Sequence, residues 1–534
     1  MEFLTILFGV MIFFFVTKGL NAKYKPRCGH QTSYTIILGM TVSLVLWMLF
    51  GKERVDMYSF RQEVFFDYIL PPIILNSGFN MKRRKFFQNF GNVGILGLGV
   101  TFVCFALYSI LSFYALKYGG LTMVNYSFQD LGNGGPVPIE IDVMPLMLFT
   151  ALLCSSDVVA AVSIVSYEAQ PALYSCIFGE GVVNDIVSII LFNTVQSLQG
   201  TPFYWYTIFI IAGQFLLLGF ISTGVGLFFA FFLCLILKHV RFLSSSPIIE
   251  SFLILAFAFM SYLTSNMIRL PSGLEMSGII SLLTYGIVTA HYTYHNLSPQ
   301  GRTVSTLGFT FTGEVAEAVV YSYVGVALYS TIPTWWSWSF IFLQLAIIFG
   351  GRVISVISTW YCCRLYWRKK TIAFNELVFI TYAGMIRGVI AFGLVLKIQW
   401  DGQDGIACPT CYSKQTYQLM VSTTLMLVVF TTLIFGTFMD VVQKLLMPPK
   451  ELPTDDHKEG SEETVSSYEE IVHPNEEVSV FSSAPSRRPS YTLGNSATEE
   501  PPSWTNSRFV NWFLVYDETK LRPFLIRKYS AIKA

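Results

Sequence analysis

The sequence predicts an all-α polytopic membrane protein, with thirteen transmembrane helices forming two inverted six-helix repeats around a linker helix. Three observations predict it. Apolar runs long enough to cross a hydrocarbon core of ~30 Å recur from one end of the chain to the other. Hydrophobic residues make up 53% and charged residues 13%, with a mean hydropathy of +0.54, which no soluble globular composition matches. Basic residues also fall on alternate connecting loops. The net charge of +1 is uninformative about partners, because topology sorts charges by side. No basic nucleic-acid patch, phosphate-binding loop or dinucleotide fingerprint is present, so neither nucleic acid nor direct ATP drive is expected.

The expected spans are about 2–17, 32–50, 64–79, 91–116, 143–166, 172–195, 206–237, 248–268, 274–290, 303–329, 338–363, 376–396 and 418–440. The 206–237 run carries no charge and reads as one long helix; a re-entrant pair turning at 219–226 is the alternative. Thirteen spans with the N-terminus outside put fifteen basic residues on one set of loops, from Lys18 to Lys370, and seven on the other. Splitting 206–237 would spoil that alternation, so thirteen is preferred, with the C-terminus cytosolic and the N-terminus luminal or extracellular. The first run has Glu2 in place of a basic start and no small-residue cleavage site, so it reads as a retained span, not a signal peptide.

Seven of the nine cysteines lie in or beside spans, where a free thiol acts as a small apolar residue. Cys408 and Cys411 form a C-x-x-C pair in a polar loop. No second pair exists to complete a zinc site, and the outer placement favours a local disulfide. Asn125-Tyr126-Ser127, in an outer loop, is an acceptor pattern for N-glycosylation. From 448 the composition turns to Glu, Ser, Pro and Thr, so 448–534 reads as a largely disordered cytosolic regulatory tail. Arg487-Arg488-Pro489-Ser490 has the form of a basophilic kinase site, and Asn511 to Pro523 reads as a segment docking back on the membrane domain.

Six spans, a linker and six spans pair the fifth with the twelfth in opposite orientation. Each is interrupted at its centre, by Ser155-Ser156-Asp157 in one and by Gly384-Met385-Ile386-Arg387-Gly388 in the other. Transporters of this plan hold their sites at such broken helices near the midplane. Carboxylates at bilayer depth are costly and mark functional sites by default. Asp185 is the candidate carrier, since a carboxylate that takes either a hard monovalent cation or a proton exchanges the two by competition. Asn184 beside it is neutral, so a single titrating carboxylate suggests electroneutral exchange. Asp157 and Ser156 can supply a further carboxylate and an oxygen ligand, or Asp157 can cap the helix end at the break. Glu180 is rotated by about 140° from Asp185 and needs a basic partner, for which Arg387 is the expected choice. Glu317 and Arg352 are further buried charges, read as a structural salt bridge before a transport role. Asp67 lies before Pro71-Pro72, which must kink its span. His291 and His295 have i, i+4 spacing without further ligands, so pH sensing is a better reading than a metal site.

At these residues the sequence resembles the monovalent cation/proton antiporter family of sodium/proton exchangers, nearest to its organellar (endosomal, Golgi and plant vacuolar) type. FGEGVVND (178–185) is similar to the family's FGE-x-x-x-ND signature, and VFFDYILPPIILNSGF (64–79) to its FFxxxLPPII segment. HYTYHN (291–296), VAEAVVYSYVG (315–325) and MIRGVIAFGL (385–394) match as well. The resemblance implies a transmembrane exchanger domain at 1–447. Its dimerisation part would span about 1–90 and 248–330, its ion-transporting core about 91–195 and 338–447, and its linker helix 206–237. It implies a homodimer whose core moves as an elevator, exchanging Na⁺, K⁺ or Li⁺ for H⁺, with no cofactor and no metal beyond the transported ion. Asp185, Asn184, Asp157 and Ser156 then bind the ion, and Glu180 with Arg387 forms a core pair. Phe65, Phe66, Leu70, Pro71 and Pro72 form an amiloride-type inhibitor segment. The tail pattern from Trp512 to Pro523 resembles that of endosomal and Golgi members, favouring an endomembrane over the plasma membrane. Two positions depart from the family: Val158 follows Asp157 where proline is usual, and Gly181 replaces a common serine. A cation channel or a non-transporting pH sensor on the same fold is the rival reading. A membrane hydrolase is disfavoured by Asn184, which leaves no two-acid site.

Overall fold

The computed structural model describes residues 2–24, 29–51, 62–82, 86–87, 89–125, 137–165, 167, 170–240, 242, 246–269, 275–330, 335–367, 373–401, 411–447 and 516–527. Among them, eight helices are long and apolar enough to cross a membrane. The chain opens with α1 (Glu2–Tyr24) and α2 (Gln31–Phe50), then α3 (62–79) and α4 (Phe90–Gly119). The missing amide hydrogens of Pro71 and Pro72 interrupt the regular ladder of α3. The helix widens into a π turn, Phe65–Ile69, immediately before them. A broken pair follows, α5 (Val143–Leu153) and α6 (Val159–Ile164), and then α7 (Pro171–Gln196). The uncharged 206–237 run forms one helix, α8 (Thr207–His239), with no re-entrant turn. Next come α9 (Pro247–Met267), α10 (Gly278–His291), a 3₁₀ turn (Thr293–Asn296), α11 (Pro299–Ser330) and α12 (Trp338–Trp367). A second broken pair, α13 (Phe374–Ala383) and α14 (Val389–Leu396), precedes α15 (Lys414–Leu446).

Packing sorts these helices. α11 lies along α2 and α3, and α10 packs on α8, α3 and α9. Elsewhere α4 packs on α12 and α5, α7 on α5, and α15 on α13 and α14. The α2–α11 crossing is close because both partners are glycine there: a Cβ at Gly39 would come within 2.9 Å of the Gly325 Cα. Small residues permit such approach where lipid supplies no hydrophobic drive between helices.

A small sheet was not expected. β1 (Thr122–Asn125) is central, with β2 (Val137–Pro138) on one side and β3 (Trp335–Trp336) on the other, both antiparallel. It ties the α4–α5 connection to the start of α12, and the Ser337 hydroxyl reinforces it by donating to Thr122 O at 2.7 Å. Asn125 is the last residue of β1, and the residues after it up to 136 lie outside those described. Cys411 is disulfide-bonded, while Cys408 and Ser490 lie outside the described residues.

The tail segment 516–527 returns to the membrane helices as a π turn (Asp517–Leu521) and a short helix, α16 (Arg522–Leu525). Lys238 Nζ donates to Pro523 O and Phe524 O at 3.0 and 2.6 Å. Asn296 brackets the segment, donating to Leu525 O at 3.0 Å and accepting from the Arg527 amide at 2.9 Å. Tyr292 donates to Asp517 at 2.5 Å, and Leu525 and Ile526 are buried against Cys234 and Tyr292. The HYTYHN stretch is therefore a receptor for the chain's own tail.

Candidate ion-exchange site

Both interrupted spans are open at the positions that the polar and glycine residues occupy. α5 ends at Leu153 and α6 begins at Val159; α13 ends at Ala383 and α14 begins at Val389. The two openings cross, and the Asp157 amide donates to Ile386 O at 2.9 Å. Each opening leaves carbonyls at one helix end and amides at the other, with half a dipole charge at each. Arg387, 1% exposed, serves the carbonyl end of α5: Nη1 donates to Cys154 O at 3.3 Å and Ser155 O at 3.1 Å. Its Nη2 donates to the Tyr108 hydroxyl at 3.1 Å, and its amide to Thr431 Oγ1 at 3.0 Å. The Arg352 guanidinium fills the space beside Gly384, at the carbonyl end of α13, where an added Cβ would displace it. Asp157 serves the amide end of α6. Its Oδ1 accepts from the Val159 amide at 3.1 Å, and its Cβ lies against Gly388 at the start of α14.

This framework gathers the oxygen-bearing side chains. Ser155 Oγ donates to Asp185 Oδ1 at 2.5 Å. Asn184 Nδ2 donates to Ser156 Oγ at 2.7 Å, and Asn184 Oδ1 accepts from Thr101 Oγ1 at 2.9 Å. Tyr321, from α11, donates to Asp157 Oδ2 at 2.5 Å. Asp157 and Asp185 are half-buried, whereas Asn184 and Ser156 are buried. Carboxylate, hydroxyl and amide oxygens are the donor types that hard cations take, and each carboxylate can alternatively hold a proton.

One expected partnership is corrected. Glu180, fully buried, forms its ion pair with Arg352, not with Arg387. Helical geometry turned Glu180 away from Asp185 as expected, but it could not choose between two guanidiniums. Arg387 is committed to the carbonyls of α5 and to Tyr108. Arg352 accordingly does not pair with Glu317, which is half-buried on α11 one turn before Tyr321; on that helix Glu314 pairs with Lys18, at 2.7 Å. Asp67 is exposed on the π turn of α3, with the Tyr262 hydroxyl 3.5 Å from its Oδ1. In the same turn Phe65 packs on Gly393 of α14, and Phe66 O accepts from Tyr262 at 2.8 Å. Leu70 and Pro71 are buried and Pro72 partly so. His291 stands 3.3 Å from Arg522 Nη2 and 3.7 Å from Asp517 Oδ2, in the tail contact and not in a metal site.

Sequence reasoning missed Ser155, Thr101, Tyr108 and Tyr321. Ser155 was visible as the first of two adjacent serines, and Tyr321 as the residue one turn after Glu317. Thr101 and Tyr108 carry no signal in an apolar run. The two departures from the family pattern turn out to be neighbours: a Cβ at Gly181 would overlap Val158 Cγ2. The valine takes the room that the glycine leaves.

Residues 4–443 match the family model described as sodium/hydrogen exchanger, transmembrane. The chain belongs to the sodium/hydrogen exchanger family. It is 30% identical to the endosomal/prevacuolar sodium/hydrogen exchanger of Saccharomyces cerevisiae, over 77% of this chain and 62% of that one. It is 29% identical to a Na⁺/H⁺ antiporter of Schizosaccharomyces pombe, over 77% and 67%. It is 27% identical to sodium/hydrogen exchanger 4 of Arabidopsis thaliana, over 93% and 89%. The fold is similar to that of a sodium/proton antiporter from Methanocaldococcus jannaschii, with a TM-score of 0.56 at 15% identity, covering 84% of this chain and 99% of that one. The protein is thus a multi-pass membrane protein and a secondary transporter, not an enzyme, of the organellar type of sodium/proton exchanger.

Proposed function

We propose that the protein exchanges Na⁺ or K⁺ for H⁺ electroneutrally, by an elevator movement, and so controls pH and cation content behind an endomembrane. The observation that carries the reading is the meeting of Asp185, Asn184, Asp157 and Ser156 where two broken helices cross, in a chain of the exchanger family. Asp185 carries the cation or the proton by turns, with Ser155 as its nearest hydroxyl. Ser156 is oriented by Asn184, and Asn184 by Thr101, so the amide and hydroxyl present fixed oxygens. Asp157 adds a carboxylate while capping α6. The Glu180–Arg352 pair and Arg387 brace the crossing without touching the ion.

In this reading thirteen spans form two inverted repeats. The helices of 91–195 and 338–447 move as the core, those of 1–90 and 248–330 form the dimer scaffold, and 206–237 links them. Li⁺ is a further substrate, Phe65 to Pro72 a site for amiloride-type inhibitors, Asn125 a glycosylation site and Ser490 a kinase site in the tail. The tail lies in the cytosol and the N-terminus in the lumen. The name of the Saccharomyces cerevisiae relative, endosomal/prevacuolar, supports the endomembrane assignment.

The test is cation-driven proton flux in proteoliposomes, comparing Na⁺, K⁺ and Li⁺ with a pH-sensitive dye inside. Asp185→Asn is expected to abolish the flux, and an imposed membrane potential to leave the wild-type rate unchanged. Retained flux in Asp185→Asn overturns the assignment of the carrier, and a voltage-dependent rate overturns electroneutrality.

A further inference from the structure

α11 places Glu314, Glu317 and Tyr321 on one face, at i, i+3 and i+7. Glu314 is held by Lys18 at one end of this ladder. Tyr321 is at the other, 4% exposed, with its hydroxyl on Asp157 Oδ2 at 2.5 Å. The other Asp157 oxygen is already engaged by the Val159 amide. Both oxygens of this carboxylate are therefore occupied by donors, one from its own loop and one from a helix that packs chiefly on α2 and α3. A short hydrogen bond to a carboxylate is among the stronger ones. It uses a lone pair and part of the charge that a cation would need.

We propose that Tyr321 is a positioning residue of the exchange reaction, its hydroxyl holding Asp157 in the empty site and yielding that oxygen when a monovalent cation arrives. The inference rests on the reading of Asp157 as a cation ligand. The phenol and the cation compete for Oδ2, and the released hydroxyl finds an acceptor in the Glu317 carboxylate, one turn earlier on the same face of α11. Tyr321 thus sets the cation concentration at which the site fills. Because the same bond joins α11 to the crossing, it also holds the empty site against the neighbouring helix.

Tyr321→Phe removes the hydroxyl and keeps the ring. Flux in proteoliposomes under NaCl should show an apparent KM for Na⁺ about tenfold lower, because the competing form of the site is removed, while the rate at saturating Na⁺ does not fall. Tyr321→Met also lacks the hydroxyl and must move the KM the same way. Thermal stabilisation by NaCl in detergent reads the same shift without reconstitution. In an Asp157→Asn background, Tyr321→Phe should produce no further shift. A higher KM in Tyr321→Phe makes the tyrosine a direct ligand, and a lower saturating rate with unchanged KM makes it merely structural; either overturns the proposal. If Asp185→Asn abolishes flux and Tyr321→Phe leaves the KM in place, only this inference fails. If Asp185→Asn still transports, the site reading itself fails.

Discussion

Substituting Glu180 by glutamine separates the pair that forms from the pair that spacing suggested. Glu180 is fully buried and Arg352 is 2% exposed, so loss of the carboxylate strands a guanidinium away from water. Breaking a buried ion pair on one side costs about 3–5 kcal/mol. Arg352→Gln strands the carboxylate instead and costs a similar amount. The double variant Glu180→Gln/Arg352→Gln removes both charges, and its two amides can bond each other. What remains lost is the cation at the carbonyl end of α13, worth about 0.3–2 kcal/mol. The double variant should therefore be more stable than either single one, with a coupling of about 3 kcal/mol or more. In Glu180→Gln/Arg387→Gln, the carbonyls of Cys154 and Ser155 lose their donor while Arg352 stays stranded, so the losses should accumulate with a coupling below about 1 kcal/mol. Thermal unfolding of the purified variants in detergent gives the comparison. Rescue of Glu180→Gln by Arg387→Gln, and not by Arg352→Gln, would refute the reasoning.

Gly181→Ala should destabilise the fold by about 1–3 kcal/mol, because the new methyl meets Val158 Cγ2. Adding Val158→Ala should restore stability and flux together, and failure of that rescue would show that the two sites are independent. In the tail, burial would raise the Asp517 carboxyl, but the nearby His291 ring and hydrogen bonds from Tyr292 and Arg522 outweigh it and hold it down to about 2. A carboxylate depressed in the docked state stabilises docking above its ordinary value of 3.8, and that contribution fades as pH falls through about 2. Asp517 therefore stays ionised from pH 5 to 8. Asp517→Asn should raise amide hydrogen exchange across 517–526 throughout that range; unaltered exchange in the variant would contradict the role given to this carboxylate.

The openings in the two broken helices were legible because polar and glycine residues in apolar runs have no other economical explanation. The single long helix at 207–239 was legible from the absence of charge and the sorting of lysines and arginines. The partner of Glu180 was not, because helical rotation fixes a direction and says nothing of which distant guanidinium lies there. Nor was the choice between adjacent serines: Ser155 meets Asp185 and Ser156 meets Asn184, a division made by the turn of the open backbone. The sheet was hidden because its strands are two to four residues long and its third strand comes some 200 residues after the first, too short for any alternation to show.

The tail contact has a consequence for everything between its anchors. α15 ends at Leu446 and the docking segment begins at Tyr516, so the intervening residues are tethered to the membrane helices at both ends. Because receptor and docking segment belong to one chain, the segment is supplied locally whatever the protein concentration. Any protein that competes for the surface around Tyr292 must overcome this local supply.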